Sequence, residues 1–315
     1  MRRSSTVPPG KQGRRRARIT VATVASIVVL ACASLTAPVA RAQPRQPGID
    51  PQSGQAPSSA PAPPGIDAGV HLADSTLRHA VARLADGQPA GPGVLSADGR
   101  ILVEVLHHLS DQAITQRIEE AGGAVNGSVP GALVQGYVPA GRLEALEATP
   151  GVDYVRPPRP VSVPLAAEAA AVSGQEVAKT RANAWHAAGR SGQGVKVGIV
   201  DLFGSAPWNS AVASGDLVSP AGTFCRDNGA SCDLWANGVS HGVGVAEIIH
   251  EMAPSASLYL ATVGTTADLQ GAVDYFAAQG VTVISRSLTS AYDGPGNGTG
   301  PIATVINNAV TSGMA

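Results

Sequence analysis

Two rhythms of apolar residues divide the chain beyond its first hundred positions. From Arg100 to Pro157, short alternating runs are interleaved with helix-spaced ones. Ile101–Leu106 alternates like a strand. Ser110-Asp111 can cap a helix running to about Ala121, which Gly122-Gly123 ends. Short strands are predicted near Ala124–Val125 and Leu133–Val138, around a turn at Pro130-Gly131. A helix over Ala140–Ala148 and a strand over Val152–Val155 complete the order β-α-β-β-α-β, the split βαβ arrangement. Ahead of it, Leu77, Val81 and Leu84 fall at helix spacing over residues 74–86, with Asp74 or Ser75 as the cap. His107 and His108 stand at a strand end and read as solvated edge residues.

From Gly194 onward, whole strands and helices alternate. Val195–Val200 is a short apolar strand ending at Asp201, and the segment after it, with Cys225 and Cys232, reads as a loop. A helix is predicted from His241 to Met252, a strand over Ala256–Val263 and an amphipathic helix from Asp268 to Gln279. A buried strand over Val281–Ile284 and a helix over Ile302–Ser312 follow, with Gly313 at the C′ position. Such alternation predicts a parallel sheet covered by helices on both faces. In these sheets functional groups gather at the carboxyl ends of strands, which is where Asp201 stands. The fold class expected is thus α/β, an incomplete parallel sheet preceded by a small α+β module.

Composition changes this picture mainly at the N-terminus. Of the 22 basic residues, eight lie in the first 42 positions, where there is no acid. The remaining 14 basic against 23 acidic residues give the body a net charge of −9. That argues against nucleic acid or anionic membrane as the main partner. Residues 1–18 are basic, 19–40 uncharged, and Ala40-Arg41-Ala42 places small residues where a signal peptidase cuts. Export with cleavage is the reading adopted, so the protein is expected to be extracellular. The uncharged run is also long enough for a membrane anchor. Val29-Leu30-Ala31-Cys32 resembles a lipoprotein signal and Arg14-Arg15-Arg16 a twin-arginine signal. The Pro-, Gln-, Ser- and Ala-rich residues 43–67 read as a linker. The organisation expected is signal peptide 1–42, linker 43–67, helical lead-in 68–99, α+β module 100–157, connector 158–192 and parallel-sheet unit 193–315. The Ala-rich run 165–172 inside the connector is either helical or flexible. In an oxidising compartment Cys225 and Cys232 are expected to form a local disulfide, the competing reading being two unpaired small hydrophobes.

The chemistry centres on two segments. A carboxylate at the end of an apolar strand is poorly solvated and needs a partner. Ser240-His241-Gly242-Val243-Gly244-Val245-Ala246 puts a histidine in the first turn of a helix, and Gly242, Gly244 and Ala246 would let that helix approach a neighbouring backbone closely. These segments resemble the subtilisin-like serine proteases. Val197-Gly198-Ile199-Val200-Asp201-Leu202-Phe203-Gly204 resembles that family's first motif, an aliphatic strand ending in Asp, then Ser or Thr and Gly. His241-Gly242-Val243-Gly244-Val245-Ala246 resembles its His-Gly-Ser/Thr-x-Val-Ala motif, 40 positions after Asp201. Met252-Ala253-Pro254-Ser255-Ala256 is similar to the run that follows it. The resemblance implies that His241 is a general base and that Asp201 fixes its tautomer. It implies that Ser287, Leu288 and Thr289 pair with an extended protein or peptide substrate. It also implies that module 100–157 is a propeptide serving as intramolecular chaperone and inhibitor. The protein is expected to be a monomer. The chain departs from the family at Leu202-Phe203, which adds a residue after Asp201, and at Val243, where Ser or Thr is usual.

The family's Gly-Thr-Ser-Met-Ala-x-Pro motif and its oxyanion Asn do not occur in the 315 residues. Thr311-Ser312-Gly313-Met314-Ala315 imitates the serine motif, but it contains an extra Gly, lacks the Pro and lies only 71 positions after His241. The fragment as given is therefore expected to be inactive. Two functions from different classes remain: a secreted serine endopeptidase zymogen, or a non-catalytic extracellular binding protein built on a truncated protease domain. No cofactor or metal is assigned. His250-Glu251 lacks the His-Glu-x-x-His spacing, and the acidic residues are too scattered to place the calcium that many subtilisin-like proteases bind. Gly242-Val243-Gly244 lacks the third Gly of a dinucleotide fingerprint. Asn126-Gly127-Ser128 and Asn297-Gly298-Thr299 are glycosylation sequons.

Overall fold

The computed structural model describes residues 72–162, 174–290 and 296–315. The predicted leader, the linker and the Ala-rich run lie outside the described residues. Helix α1 (Ser75–Ala85) starts where the Asp74 carboxylate accepts the N–H groups of Thr76 and Leu77, two donors a helix start leaves unsatisfied. Then come β1 (Ser96–Ala97), β2 (Arg100–His107), α2 (Asp111–Glu120), β3 (Ala124–Val129), β4 (Leu133–Pro139), α3 (Leu143–Glu147) and β5 (Val152–Arg156). Ser110 caps α2 through the N–H of Ala113. The strands form one antiparallel sheet in the order β1-β2-β4-β3, with β5 also on β2. Alternation along β2 sends Ile101, Val103 and Val105 into a core with Ile114 and Ile118 of α2 and Leu143 and Leu146 of α3. Its other face carries Glu104, buried and ion-paired at 2.9 Å with Arg156 of β5.

Two expectations for this module need correction. The second helix does not run unbroken from Ala140, because a 3₁₀ turn at Ala140–Arg142 precedes α3. His107 is not solvated. The β2–β5 register shifts between Leu106 and His107, and the ring is buried, its Nδ1 3.0 Å from the carbonyl of Leu109. His108 is exposed and pairs with Asp153 at 2.9 Å.

After β6 (Val161–Ser162) and the short helices α4 (Gln175–Lys179) and α5 (Ala182–Ala187), the second unit begins with β7 (Lys196–Val200). Residues 202–240 are not a loop. They hold α6 (Ser205–Ser214), β8 (Gly222–Asp227) and β9 (Ala230–Ser231). Next are α7 (His241–Met252), β10 (Ser257–Val263), α8 (Thr266–Gln279), β11 (Val283–Arg286), β12 (Thr289–Ser290) and α9 (Pro301–Thr311). The sheet order is β11-β7-β10-β8-β9, parallel except for β9.

Strand alternation shows that helices cover both faces. Val197 and Ile199 of β7, with Leu258 and Leu260 of β10, pack on Trp208 of α6 and Val243 and Ala246 of α7. On the other face Tyr259, Ala261 and Val263 pack with Ala272, Val273 and Phe276 of α8 and Val305 of α9. Val129 and Leu133 of the N-terminal sheet join that second cluster, so the module sits on α8 and α9 through apolar side chains. The strand expected at Val281–Ile284 is displaced and is an edge. Only Val281 of its apolar residues is buried, and Val283 at the start of β11 is 40% exposed. Helix α8 opens with a capping box in which Thr265 and Asp268 satisfy each other's backbone N–H. Burial pushes the Asp268 carboxyl up from the usual aspartate range, against the hydrogen bonds from Thr265 and Gly229 and the nearby Arg226, which pull it down.

Gly198 sits on β7 directly beneath Phe276. A Cβ there would lie 2.7 to 2.9 Å from three ring atoms of a side chain with no exposed surface. Gly198→Ala is therefore expected to destabilise the unit by about 1–3 kcal/mol through overpacking. Thermal denaturation followed by circular dichroism checks this. An unchanged midpoint would mean that the ring can move aside.

Candidate active site

Asp201 follows β7, and β10 fixes its backbone. Its N–H donates to the Ala261 carbonyl at 3.0 Å, and the Thr262 hydroxyl donates to the Asp201 carbonyl at 2.8 Å. The side chain is fully buried. Its Oδ1 accepts the Leu202 N–H at 2.7 Å and lies 2.8 Å from Nδ1 of His241. Oδ2 is buried without a hydrogen-bond partner among the described residues. A carboxylate can only accept, so Nδ1 carries the proton of the His241–Asp201 bond. Nε2 of the neutral ring is then the basic nitrogen. The imidazole is 19% exposed, so solvent or a ligand can reach part of it.

His241 opens α7, and two contacts set where that helix starts. The Gly242 N–H, one of the donors orphaned at a helix start, donates to the Leu202 carbonyl at 3.1 Å. A Cβ on Gly242 would lie 2.7 Å from that same carbonyl oxygen and 2.7 Å from the Phe203 ring. Gly242 therefore makes the close approach expected of it, and Ala246 is buried against β7 and β10. Gly244 does not: a Cβ there would meet nothing within 4 Å.

Sequence reasoning missed the aromatic floor of this site. Phe203 packs edge-on against Trp208 of α6 and Trp235, with ring centroids 6.0 and 6.3 Å away. Trp208 and Trp235 are themselves 5.6 Å apart. The signal was present, since a chain with only three Trp and three Phe places four of the six, these three and Phe224, within 33 positions.

Parallel pairing of Arg286 with Val200 puts Ser287 level with Asp201 at the carboxyl end of the sheet. Ser287 is half-buried. Leu288 is buried in the apolar cluster under α8, so its side chain serves the core. Thr289 reaches a paired edge. In β12 it lies opposite Ser162 of β6, antiparallel, with the two hydroxyls 2.7 Å apart. The neighbouring Val161 N–H donates to the Gly264 carbonyl beyond β10 at 3.3 Å. The chain's own segment 161–162 thus lies between the end of β10 and β12. Cys225 and Cys232 are bonded to each other across the β8–β9 hairpin. Among the described residues, no three His, Cys, Asp or Glu side chains gather as they would around a metal ion.

No family model matches the chain, and no curated protein matches it. Among solved structures it is similar to a mutant of the epidermin leader peptide processing serine protease EpiP from Staphylococcus aureus. The identity is 13% and the TM-score 0.45, over 69% of this chain and 60% of that one. The unmutated EpiP gives 11% and 0.42, over 69% and 59%. The chain thus spans about 60% of the length of the solved chains it matches.

Proposed function

We propose that this chain supplies the aspartate and the histidine of a subtilisin-like serine endopeptidase, made as a secreted zymogen. The observation that carries the reading is the buried Asp201 carboxylate hydrogen-bonded at 2.8 Å to Nδ1 of His241, at the junction of a parallel strand and a helix start. In that role His241 Nε2 takes the proton of a serine hydroxyl as the oxygen attacks the peptide carbonyl, then returns it to the leaving amine. Asp201 holds the tautomer and stabilises the imidazolium. The serine belongs to a motif that does not occur in the 315 residues.

Pairing of Val161–Ser162 with Thr289–Ser290 supports a substrate bound as an added strand, since an extended peptide would use the same backbone groups. It equally supports the N-terminal module as an inhibitor whose trailing segment fills that place.

The test is carried out on the product of the whole reading frame, with a fluorophosphonate probe and an extended fluorogenic peptide. Labelling and hydrolysis are expected, and His241→Ala is expected to suppress both. Hydrolysis that survives His241→Ala would defeat the protease reading. A product that binds the peptide without cleaving it would favour the non-catalytic binding protein.

A further inference from the structure

The β8–β9 hairpin contributes nothing to the Asp201–His241 pair, yet it meets the N-terminal module through a set of directed polar contacts. Its two-residue turn, Asn228-Gly229, has φ of +52° and +82°, the left-handed pair that a tight hairpin turn of this twist requires. Cys225 and Cys232 are bonded across the hairpin. Facing it, β3 contains a bulge. Its register on β4 shifts between Val125 and Gly127, which leaves Asn126 as the extra residue, without a partner in the ladder. A bulge re-aims the residue it inserts, and Asn126 engages the hairpin at both ends. Its Nδ2 donates to the Asn228 carbonyl at 2.8 Å, and its backbone carbonyl accepts from Nη2 of Arg226 at 3.3 Å. The same guanidinium braces the turn from within, Nε donating to the Gly229 carbonyl at 3.1 Å. Buried Gln135 donates to Asn126 Oδ1 at 3.1 Å and so orients the amide. A Cβ on Gly229 would lie 2.4 Å from Asn126 Cγ, so the turn needs glycine for its closeness as well as its φ. On its other side Gly229 donates its N–H to Asp268 at the start of α8, at 2.9 Å.

We propose that the disulfide-closed hairpin is a latch that holds the N-terminal module on the parallel-sheet unit, with Asn126 as the residue it catches, and that opening the Cys225–Cys232 bond loosens the module. The apolar contacts of Val129 and Leu133 with α8 and α9 are non-directional. The hairpin adds register, because Asn126 fits only one turn geometry. Strand β8 is anchored on β10, but β9 is an edge paired through two residues, and the cross-link removes open conformations of that edge and its turn. Opening is an ordinary thiol–disulfide exchange. A dithiol reductant gives up two electrons and two protons, closes to its own cyclic disulfide and leaves Cys225 and Cys232 as free thiols. Cys232 is exposed and can be attacked. The sequon at Asn126 is spent on this contact, since the nitrogen a glycan would occupy is the donor to Asn228. The regulatory meaning of the latch, control of how long an inhibitor stays bound, rests on the zymogen reading above.

The experiment is hydrogen–deuterium exchange on the 315-residue chain, compared in the oxidised form, after dithiothreitol, and as the oxidised Asn126→Ala variant. Reduction and Asn126→Ala are each expected to speed exchange in β3 and the first turn of α8 by about tenfold, as loss of one or two hydrogen bonds to local opening implies. Strands β2, β7 and β10 should keep their protection. The latch is overturned if β3 stays as protected once mass confirms both thiols free. Reduction leaves the sequence intact, so a variant that folds poorly does not decide the matter. Exchange reads docking without any hydrolysis, so failure of the zymogen reading would leave this result standing.

Discussion

Asparagine at position 201 is expected to reduce turnover of the nucleophile-bearing protease by about 10⁴-fold with little change in KM, the scale on which serine-protease triads respond to loss of this charge. The reason lies in one oxygen. Asp201 Oδ1 accepts from both the Leu202 N–H and His241 Nδ1, and the side chain has no exposed surface. With the asparagine oxygen in the Oδ1 place both bonds can persist, but the negative charge that stabilises the imidazolium is lost and the NH₂ group takes the buried Oδ2 place, which has no hydrogen-bond partner among the described residues. Turned the other way, the NH₂ group faces both the Leu202 N–H and the ring, and the ring then has to accept at Nδ1 and carry its proton on Nε2, the nitrogen that must be free to take the serine proton. Water cannot substitute at a fully buried position. Asp201→Asn is nearly isosteric, so circular dichroism should be unchanged while kcat falls. A loss smaller than tenfold would mean that the Asp201–His241 contact is structural.

The pair was legible in the sequence because each half carries its own local cue, an apolar strand that stops at a charge and a helix that starts at a histidine. Helix α7 spans His241–Met252 as predicted, with Ser240 at the N-cap position on one side and Pro254 just beyond it on the other. The N-terminal module was equally legible, as Ser110, Gly122 and Pro130-Gly131 punctuate its elements. What could not be read was the stretch 202–240. Helix α6 begins at Gly204, which offers no side-chain cap, and buries only Trp208 and Ala211, so no apolar stripe marks it. Strand β8 is flanked by an edge of two residues, and its positions are half-buried or exposed, which blurs the alternation a strand displays. Helices α4 and α5 have five and six residues, too few for periodicity to appear. His107 was misread for a different reason: a register shift is a property of two strands, and neither alone encodes it. Gly242 and Gly244 look identical as letters, yet only the first lies against Leu202 and Phe203.

Phe203→Ala is expected to destabilise the parallel-sheet unit by about 3–5 kcal/mol, the range for removing a fully buried phenylalanine, and to disturb the site beyond what stability alone predicts. Phe203 stands two residues after Asp201, where Leu202-Phe203 departs from the family pattern. The departure has a use in this fold. The ring fills the space between Trp208 and Trp235 and lies directly against Gly242, so the first turn of α7 rests on it. Truncation leaves a cavity beneath the residue that follows His241, and the helix start is then held by the Gly242–Leu202 and His241–Asp201 hydrogen bonds without the ring beneath them. Two measurements separate the effects. Chemical denaturation gives the stability loss. Proton NMR of the 315-residue chain, below the unfolding transition, follows the downfield Nδ1–H signal of His241. Loss of that signal while the fold persists is the expected result, and it would identify the aromatic floor as what positions the histidine. A retained signal in a merely less stable protein would reduce Phe203 to ordinary packing, and the Leu202 carbonyl alone would then account for where α7 begins.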